Sequence, residues 1–200
     1  MKERTLITIS RQYGSGGKEI AELLAKKMNV RCYDRQILYL AAEKMDGSDL
    51  DMNTILDMSY KMPEGSFMES VTSLGYETIP PYNKMYREQA KVMRKIAEKE
   101  SAVFLGRCAD VVLKDFPECF SIFIYADEEF RKNRAKELYG NKTIKELEKE
   151  NKTRERYYNY YTGQKWGDPQ NYDLMINTSN LTPEQAAELI IDYVEKRQSK

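Results

Sequence analysis

The residues of this chain that could do chemistry begin with a glycine-rich stretch near its start, Gly14-Ser15-Gly16-Gly17-Lys18. A phosphate-binding loop needs glycines so that successive backbone N–H groups can surround a phosphate. It also needs a lysine that reaches the outer phosphates and a helix N-terminus, whose dipole favours anions. The stretch supplies the glycines and the lysine, and the residues beyond it recur at helical spacing. We therefore predict that Gly14, Ser15, Gly16, Gly17 and Lys18 bind phosphate.

Two positions of this loop depart from the standard motif, GxxxxGK followed by Ser or Thr. Gln12 stands where the first glycine belongs, and Glu19 stands where a hydroxyl that holds Mg²⁺ belongs. A carboxylate at position 19 either recruits Mg²⁺ or repels the nucleotide, and both alternatives stay open at this point. The plainer alternative for the whole stretch is a glycine-rich turn between a strand and a helix. The flanking strand and helix patterns favour the phosphate loop.

The elements that must position this loop alternate between strands and helices. The apolar, β-branched run TLITIS predicts a strand over residues 5–10, and the apolar spacing beyond the loop predicts a helix. Further short apolar runs predict strands at 30–33, 101–106, 119–126 and 172–179, each followed by a helical pattern. Short apolar strands that alternate with helices predict a parallel sheet covered on both faces. The expected fold class is α/β, a three-layer arrangement around a central parallel sheet of about five strands.

The order of these elements indicates where a ligand would bind. Residues 46–82 carry turn signals such as DGSD and MPEG and predict an inserted region of short helices and loops. In parallel sheets, ligands bind outside the carboxyl ends of the strands. The loops at 11–17, 34–36, 106–110 and 126–128 are expected to gather there.

The composition excludes several classes of function. The chain has no histidine, which excludes a histidine-dependent hydrolase, and its three cysteines show no zinc-like spacing. Lys plus Arg equals Asp plus Glu at 32 each, so no bulk charge draws the protein to nucleic acid or to a membrane surface. No apolar stretch is long enough for a signal segment or a membrane span. We expect a cytoplasmic protein with reduced thiols, and the sequence leaves its oligomeric state open.

Four blocks of the sequence resemble the cytidylate kinase-like family, a branch of the P-loop nucleoside monophosphate kinases. They are ITISRQYGSGGKEIA, YDRQILYLAA, VFLGRCADVVL and YYTGQKWGDPQNYDLMINTSNL, and they follow the family's order and spacing nearly end to end. The resemblance implies ATP-dependent phosphoryl transfer to a nucleoside monophosphate, with CMP or dCMP as the acceptor and Mg²⁺ as the metal. It also implies a core formed by 1–34, 101–140 and 170–200, a monophosphate-binding insertion over about 35–100 and a lid over about 141–169.

The resemblance also assigns roles to individual residues. Lys18 and the amides of residues 14–17 would hold the ATP phosphates. Asp34 and Arg107 match positions that line the monophosphate pocket, and Asp110 either faces that pocket or opens the next helix as an N-terminal acid. The arginines that match the region from which kinase lids reach the transferring phosphoryl group are Arg131, Arg134, Arg154 and Arg156. Each of these arginines, taken alone, is equally well explained as a solvated or salt-bridged residue.

Three departures from the family's pattern concern the acceptor. Leu105 and Cys108 stand where cytidylate kinases place acids around the glycine-arginine pair, and Asn151 stands at the lid aspartate. These changes leave three hypotheses open. The protein is a cytidylate-type kinase, a kinase of another small metabolite, or a nucleotide-binding regulatory protein with impaired catalysis.

Two further groups of side chains have plainer interpretations. A basic stripe predicts a solvated helix face and receives no function; its members are Lys84, Arg87, Lys91 and Arg94. The tyrosines at 157–161 and Trp166 could stack on a base, but aromatic residues at this density more often pack a helix onto a sheet. We therefore predict that they form part of the core.

Overall fold

The computed structural model describes residues 4–45, 52–62 and 81–199. Strands β1 to β5 span Leu6–Arg11, Arg31–Tyr33, Ala102–Leu105, Cys119–Tyr125 and Leu174–Asn177. Helices α1 to α8 of the described ranges span Gly17–Met28, Gln36–Ala42, Met52–Asp57, Pro81–Ala97, Ala109–Val112, Glu128–Leu138, Ile144–Thr162 and Pro183–Gln198, with 3₁₀ turns at Met58–Tyr60 and Pro169–Asn171. The irregular region predicted at 46–82 lies mostly outside the described residues, apart from α3, the turn after it and the start of α4.

The five strands form one parallel sheet in the order β2-β3-β1-β4-β5. Strand β1 lies at the centre, with Ile7 opposite Val103 of β3 and Phe120 of β4. Every neighbouring pair is parallel, so the chain must cross over between strands, and helices make these crossovers. The predicted α/β class and the central parallel sheet of about five strands are confirmed.

The central strands are apolar on both faces because helices cover each face. On β3, Ala102 and Phe104 pack into the core beneath α2, α4 and α5. Val103 and Leu105 pack into the opposite core, beneath α1 and α8. All four side chains are buried, as expected when successive residues of a strand point to opposite faces. Such burial contributes about 25 cal/mol per Å² of apolar surface and gives the carboxyl ends of the strands a rigid base.

The helices begin and end where the sequence supplies caps. Thr182 begins α8 with a capping box, in which its hydroxyl accepts from the Gln185 amide and the Gln185 side chain accepts from the Thr182 amide. Thr143 and Glu146 make the same arrangement at the start of α7. Gly163, with φ of 68°, ends α7 in the left-handed conformation. None of the helices in the described ranges has both the length and the apolar character to cross a membrane.

A third apolar cluster fixes the position of α7. Tyr157, Tyr158 and Tyr161 are buried there and pack with Tyr60 and Tyr86. The rings of Tyr86 and Tyr161 stack with their centroids 4.1 Å apart. The prediction that these tyrosines belong to the core is confirmed. Because α7 is anchored in this way, Arg154, one turn before Tyr157 and Tyr158 on the same face of the helix, has a defined place.

Candidate active site

The loops at the carboxyl ends of the strands enclose a cleft of about 750 Å³. Three of the loops expected to gather there contribute to its lining, namely those at 11–17, 34–36 and 106–110. Basic side chains outnumber acidic ones in this lining: Arg11, Lys18, Arg35, Lys61, Arg107, Lys142 and Arg154 stand against Asp34 and Glu150. The cleft therefore suits a polyanionic ligand, although the chain as a whole carries no net charge.

The glycine loop joins β1 to α1 and curls at two left-handed glycines. Gly14 has φ of +86° and Gly16 has φ of +81°, a region that residues with a Cβ rarely adopt. Gly16 is also the N-cap of α1, so the positive end of the helix dipole opens on the cleft. Ser15 is buried, and its hydroxyl donates to the Gln12 carbonyl at 2.9 Å. The loop thus has the backbone curvature and the dipole that phosphate binding requires.

Gln12, where the standard motif has glycine, ties the loop to the end of β4. Its backbone N–H donates to the Ile124 carbonyl at 2.9 Å. Its side-chain oxygen accepts the Ala126 N–H at 3.3 Å, a bond that glycine could not make. This departure from the motif therefore has a structural reason and does not conflict with phosphate binding.

Arg131 and Arg134 of α6 pack behind the glycine loop. A Cβ added to Gly14 would lie 3.1 Å from the Cβ of Arg131, so the loop rests directly on this helix. The Nε of Arg131 donates to the Ala126 carbonyl at 3.1 Å, and its Nη1 lies 2.6 Å from a carboxylate oxygen of Glu148. Neither arginine lines the cleft. Arg131 and Arg134 therefore support the glycine loop from outside the cleft.

The first turn of α1 carries Lys18 and Glu19. Lys18 lines the cleft, but its side chain is 65% exposed and its Nζ lies 3.7 Å from Oε1 of Glu22. Glu19 accepts a hydrogen bond from Nη2 of Arg134 at 2.8 Å. The ion pair offsets the negative charge that Glu19 would otherwise present to a nucleotide.

The residues present fit a metal ion that arrives with a nucleotide rather than one held by the protein alone. Within the part of the chain that the structure describes, no three His, Cys, Asp or Glu side chains cluster as metal ligands would. Mg²⁺ commonly takes one or two carboxylates, with substrate phosphates and water completing its coordination. Glu19, half-exposed beside the glycine loop, remains the candidate carboxylate.

Arg107 enters the cleft from a strained turn at the end of β3. Gly106, Arg107 and Cys108 have φ values of 73°, 63° and 56°. For the two residues with a Cβ, this conformation costs on the order of 1–3 kcal/mol each. The turn brings Nη1 of Arg107 to Ser59, where it donates to the hydroxyl at 2.6 Å and to the carbonyl at 2.8 Å. Backbone strain of this kind clusters at functional sites.

Arg11 and Arg154 bring two more guanidinium groups to this inner end of the cleft. Nη1 of Arg154 donates to the Arg11 carbonyl at 2.9 Å, and burial together with Arg11 lowers the pKa of Arg154 to about 10. Tyr60 lies among these cations, with the Arg107 guanidinium carbon 4.9 Å from its ring centroid. Burial acts to raise the pKa of Tyr60, but Arg107, Arg11 and Arg154 outweigh it and lower the pKa to about 8. The inner end is therefore strongly electropositive.

Arg11 and Tyr60 were missed by the sequence reasoning. Arg11 directly follows the first apolar strand, so the rule that ligands bind at the carboxyl ends of strands could have identified it. Tyr60 lies in a region without regular patterning, and only the packing of its 3₁₀ turn against Arg107 reveals its place. No local signal in the sequence points to it.

The other predicted site residues divide between the cleft and its surroundings. Asp34 lines the cleft, with Oδ1 3.9 Å from Nη2 of Arg11. Asp110 is buried in the first turn of α5, where it accepts from the Tyr158 hydroxyl at 2.7 Å and burial raises its pKa to about 6. Arg156 is exposed on α7, and its Nε donates to a backbone carbonyl of the same helix. The structure brings neither Asp110 nor Arg156 into the cleft.

Comparisons with known proteins agree with this architecture. The sequence profile of the cytidylate kinase-like family matches residues 6–180. The crystal structure of an uncharacterized protein from Eubacterium ventriosum ATCC 27560 has a TM-score of 0.70 and 28% identity, covering 96% of this chain and 99% of that one. A gluconokinase from Sinorhizobium meliloti 1021 has a TM-score of 0.58 and 13% identity, covering 98% and 94% of the two chains. The APS kinase CysC of Mycobacterium tuberculosis has a TM-score of 0.52 and 16% identity, covering 96% and 98%. The two kinases share the fold, and no curated protein sequence matched the chain.

Proposed function

Because the chain belongs to the cytidylate kinase-like family, we propose that it transfers the γ-phosphoryl group of ATP to a nucleoside monophosphate. The family suggests CMP or dCMP as the acceptor. The kinase fold and the glycine loop support the reaction class, and the cationic cleft supports an acceptor that already carries a phosphate. In the proposed reaction both substrates are small cytoplasmic metabolites, and neither nucleic acid nor a membrane takes part.

The observation that carries this proposal is the convergence of three guanidinium groups at the inner end of the cleft. Arg107, Arg11 and Arg154 act together on Tyr60 and outweigh the effect of its burial. Transfer between two phosphate compounds brings two polyanions into contact, and their repulsion must be offset by fixed positive charge. An acceptor without a phosphate would need less positive charge at this end.

The two substrates would occupy different parts of the cleft. The amides of residues 14–17 and Lys18 would hold the ATP phosphates at the N-terminus of α1, where the helix dipole favours them. Arg107 would contact the phosphate of the acceptor. Asp34 would accept hydrogen bonds from hydroxyl or amino groups of the same molecule. Mg²⁺ bound with the nucleotide would supply further neutralising charge.

The arginines of the two long helices would have different tasks. Arg154 lies on α7, inside the proposed lid at 141–169, and it lines the cleft. We propose that Arg154, which the anchored α7 already holds in the cleft beside Arg11, contacts the transferring phosphoryl group when both substrates are bound. Arg131 and Arg134 would instead keep the glycine loop in its binding conformation, since both contact it from behind.

A kinase of another small metabolite is the second candidate, and the placement of two residues favours it. Cys108 is buried, and burial raises the pKa of its thiol well above the usual value. The Asn151 side-chain oxygen accepts the Tyr13 N–H at 2.6 Å, so this group is used inside the protein. Neither residue offers a carboxylate to a nucleotide base. Groups of the pocket other than those of the family's pattern must therefore recognise the acceptor.

An assay of ADP formation with ATP, Mg²⁺ and a panel of nucleoside monophosphates tests the proposal. Arg107→Met removes one inner guanidinium, and Arg87→Met, on the exposed face of α4, is its matched control. We expect turnover of at least one monophosphate, reduced about 100-fold or more by Arg107→Met and unchanged by Arg87→Met. Binding of ATP without turnover of any acceptor would contradict the proposal and favour a regulatory nucleotide-binding protein. Turnover limited to metabolites other than nucleoside monophosphates would favour the second candidate.

A further inference from the structure

The phosphate loop places its lysine on the outer side of the cleft. Lys18 is the second residue of α1, and its largely exposed side chain lies near Glu22, one turn further along the same helix. From this position it can serve the outer phosphates of a nucleotide. The inner end of the cleft, where the acceptor would meet the nucleotide, depends on another cation close to the loop.

Arg11, the last residue of β1, has a side chain that runs to this inner end. Its aliphatic part lies against Gly17, because a Cβ added there would lie 2.6 Å from Cβ and 2.9 Å from Cγ of Arg11. Its guanidinium reaches Gly106, where an added Cβ would collide with Nη1 of Arg11. The absence of a side chain at Gly17 and at Gly106, in two separate segments, therefore opens the channel through which Arg11 extends. This channel leads from the phosphate loop to the strained turn that carries Arg107.

Within the described ranges, no carboxylate lies within hydrogen-bond distance of the Arg11 guanidinium. Its side chain is only 11% exposed, and Asp34, 3.9 Å away, is the one carboxylate within 4.0 Å of it in the described ranges. That separation is too long for a hydrogen bond. Arg154 adds a second guanidinium beside it, and burial together with the positive charge of Arg11 lowers the pKa of Arg154. Because buried charges are normally paired, this arrangement favours an anion bound against Arg11.

We propose that Arg11 contacts the transferring phosphoryl group and bridges the two substrates, an inference that rests on the proposed kinase function. In the transfer, a lone pair on an acceptor phosphate oxygen forms the new bond to the γ-phosphorus. The bond from that phosphorus to the β,γ-bridging oxygen breaks, and the oxygen keeps the electron pair and leaves as part of ADP. Charge spreads over the three remaining oxygens of the γ-phosphoryl group, and a guanidinium can donate two parallel N–H bonds to such oxygens.

Two features of Arg11 make it better suited than Lys18 to contact the transferring phosphoryl group. Arg11 ends the central strand of the sheet, and its backbone is paired with Ile124 of β4. Its side chain is confined by Gly17 and Gly106, and little conformational freedom remains to be lost when an anion binds. Arg11 should therefore act mainly on the rate of transfer, and Lys18 mainly on the affinity for ATP.

The test compares Arg11→Met, Arg11→Lys and Lys18→Met with the parent protein, and Arg87→Met serves as the control for loss of a guanidinium. Steady-state kinetics separates kcat from KM for ATP. We expect Arg11→Met to lower kcat by about 100-fold or more with a small change in KM, and Lys18→Met to raise KM instead. Arg11→Lys should recover part of the rate, because it restores the charge without the paired N–H groups.

Calorimetric titration with inorganic phosphate gives a second measurement that does not depend on turnover. Phosphate at millimolar concentration should bind the parent protein and Arg87→Met, and its binding should weaken at least tenfold in Arg11→Met. If the parent binds phosphate through Arg11 but phosphorylates no acceptor, the kinase proposal fails and the anion contact stands. Equal phosphate binding in Arg11→Met and the parent, no binding to the parent, or an unchanged kcat in Arg11→Met would each overturn the proposal for Arg11.

Discussion

The ionisation of Tyr60 reports directly on the electropositive inner end of the cleft. Three guanidinium groups lower the pKa of this phenol to about 8 although burial acts in the opposite direction. We predict that Arg107→Met raises the pKa of Tyr60, because Arg107 has the largest effect of the three and its guanidinium carbon lies 4.9 Å from the ring centroid.

The expected size of this change follows from the contributions to the pKa. A fall from the usual value of 10 to about 8 corresponds to about 3 kcal/mol in favour of the phenolate. Burial opposes this fall, so the three arginines together contribute more than that amount. Arg107, as the largest contributor, supplies at least a third of it. Its removal should therefore raise the pKa of Tyr60 by at least about half a unit.

Ultraviolet difference absorbance of tyrosinate during a pH titration measures this pKa. The chain has 15 tyrosines, so each protein is compared with the same protein that also carries Tyr60→Phe. Burial raises the pKa of Tyr86, Tyr161 and Tyr172, and these residues should titrate after Tyr60. The difference titration of the parent should have its midpoint near 8, and that of Arg107→Met should lie clearly higher.

Two results would refute the reasoning. A midpoint at or above 10 in the parent would mean that the arginines do not surround the hydroxyl of Tyr60. A midpoint that is the same in the parent and in Arg107→Met would mean that Arg107 is not the main source of the field. Arg87→Met should leave the midpoint where it is, since that residue is exposed on α4.

Three further predictions concern stability and access to the cleft. Burial raises the pKa of Asp110 from 3.8 to about 6, so the protonated acid favours folding; this stabilisation is complete below pH 3.8 and is lost as the pH rises through about 6. The free energy of unfolding of the parent protein should therefore fall by up to about 3 kcal/mol over this range, and Asp110→Asn should remove this fall. Thermal denaturation at several pH values would show whether the two proteins differ. Gly17→Ala should displace Arg11 and lower kcat, with a loss of unfolding free energy of about 1–3 kcal/mol from overpacking; an unchanged kcat would contradict the confinement of Arg11. Thr143→Ala should cost about 1 kcal/mol by removing the capping box of α7, and an identical denaturant midpoint would contradict it.

Much of the fold could be predicted because its signals are local. Short apolar runs between helical patterns identify strands that are buried on both faces, and all five strands were found in this way. The start of α8 is also a local signal, because the capping box of Thr182 and Gln185 involves residues only three positions apart. The glycine loop was likewise visible as a contiguous stretch.

The inner end of the cleft could not be predicted in the same way, because it depends on residues far apart in the chain. The path of Arg11 exists only because Gly17 and Gly106 approach it from different segments. Asp110 and Arg156 were predicted to belong to the site from their places in the family's pattern. Asp110 is drawn into the core by the hydroxyl of Tyr158, while Arg156 lies on the exposed face of α7. Tertiary packing and helix phase decide these placements.

Phosphorus NMR of the parent protein with ATP, Mg²⁺ and CMP, repeated with the other nucleoside monophosphates, tests the central claim most directly. Transfer of the γ-phosphoryl group predicts that ADP and one nucleoside diphosphate appear in equal amounts. Both signals should be nearly absent with Arg107→Met and undiminished with Arg87→Met. Release of inorganic phosphate without a nucleoside diphosphate, or unchanged ATP with every monophosphate, would contradict the proposed kinase activity.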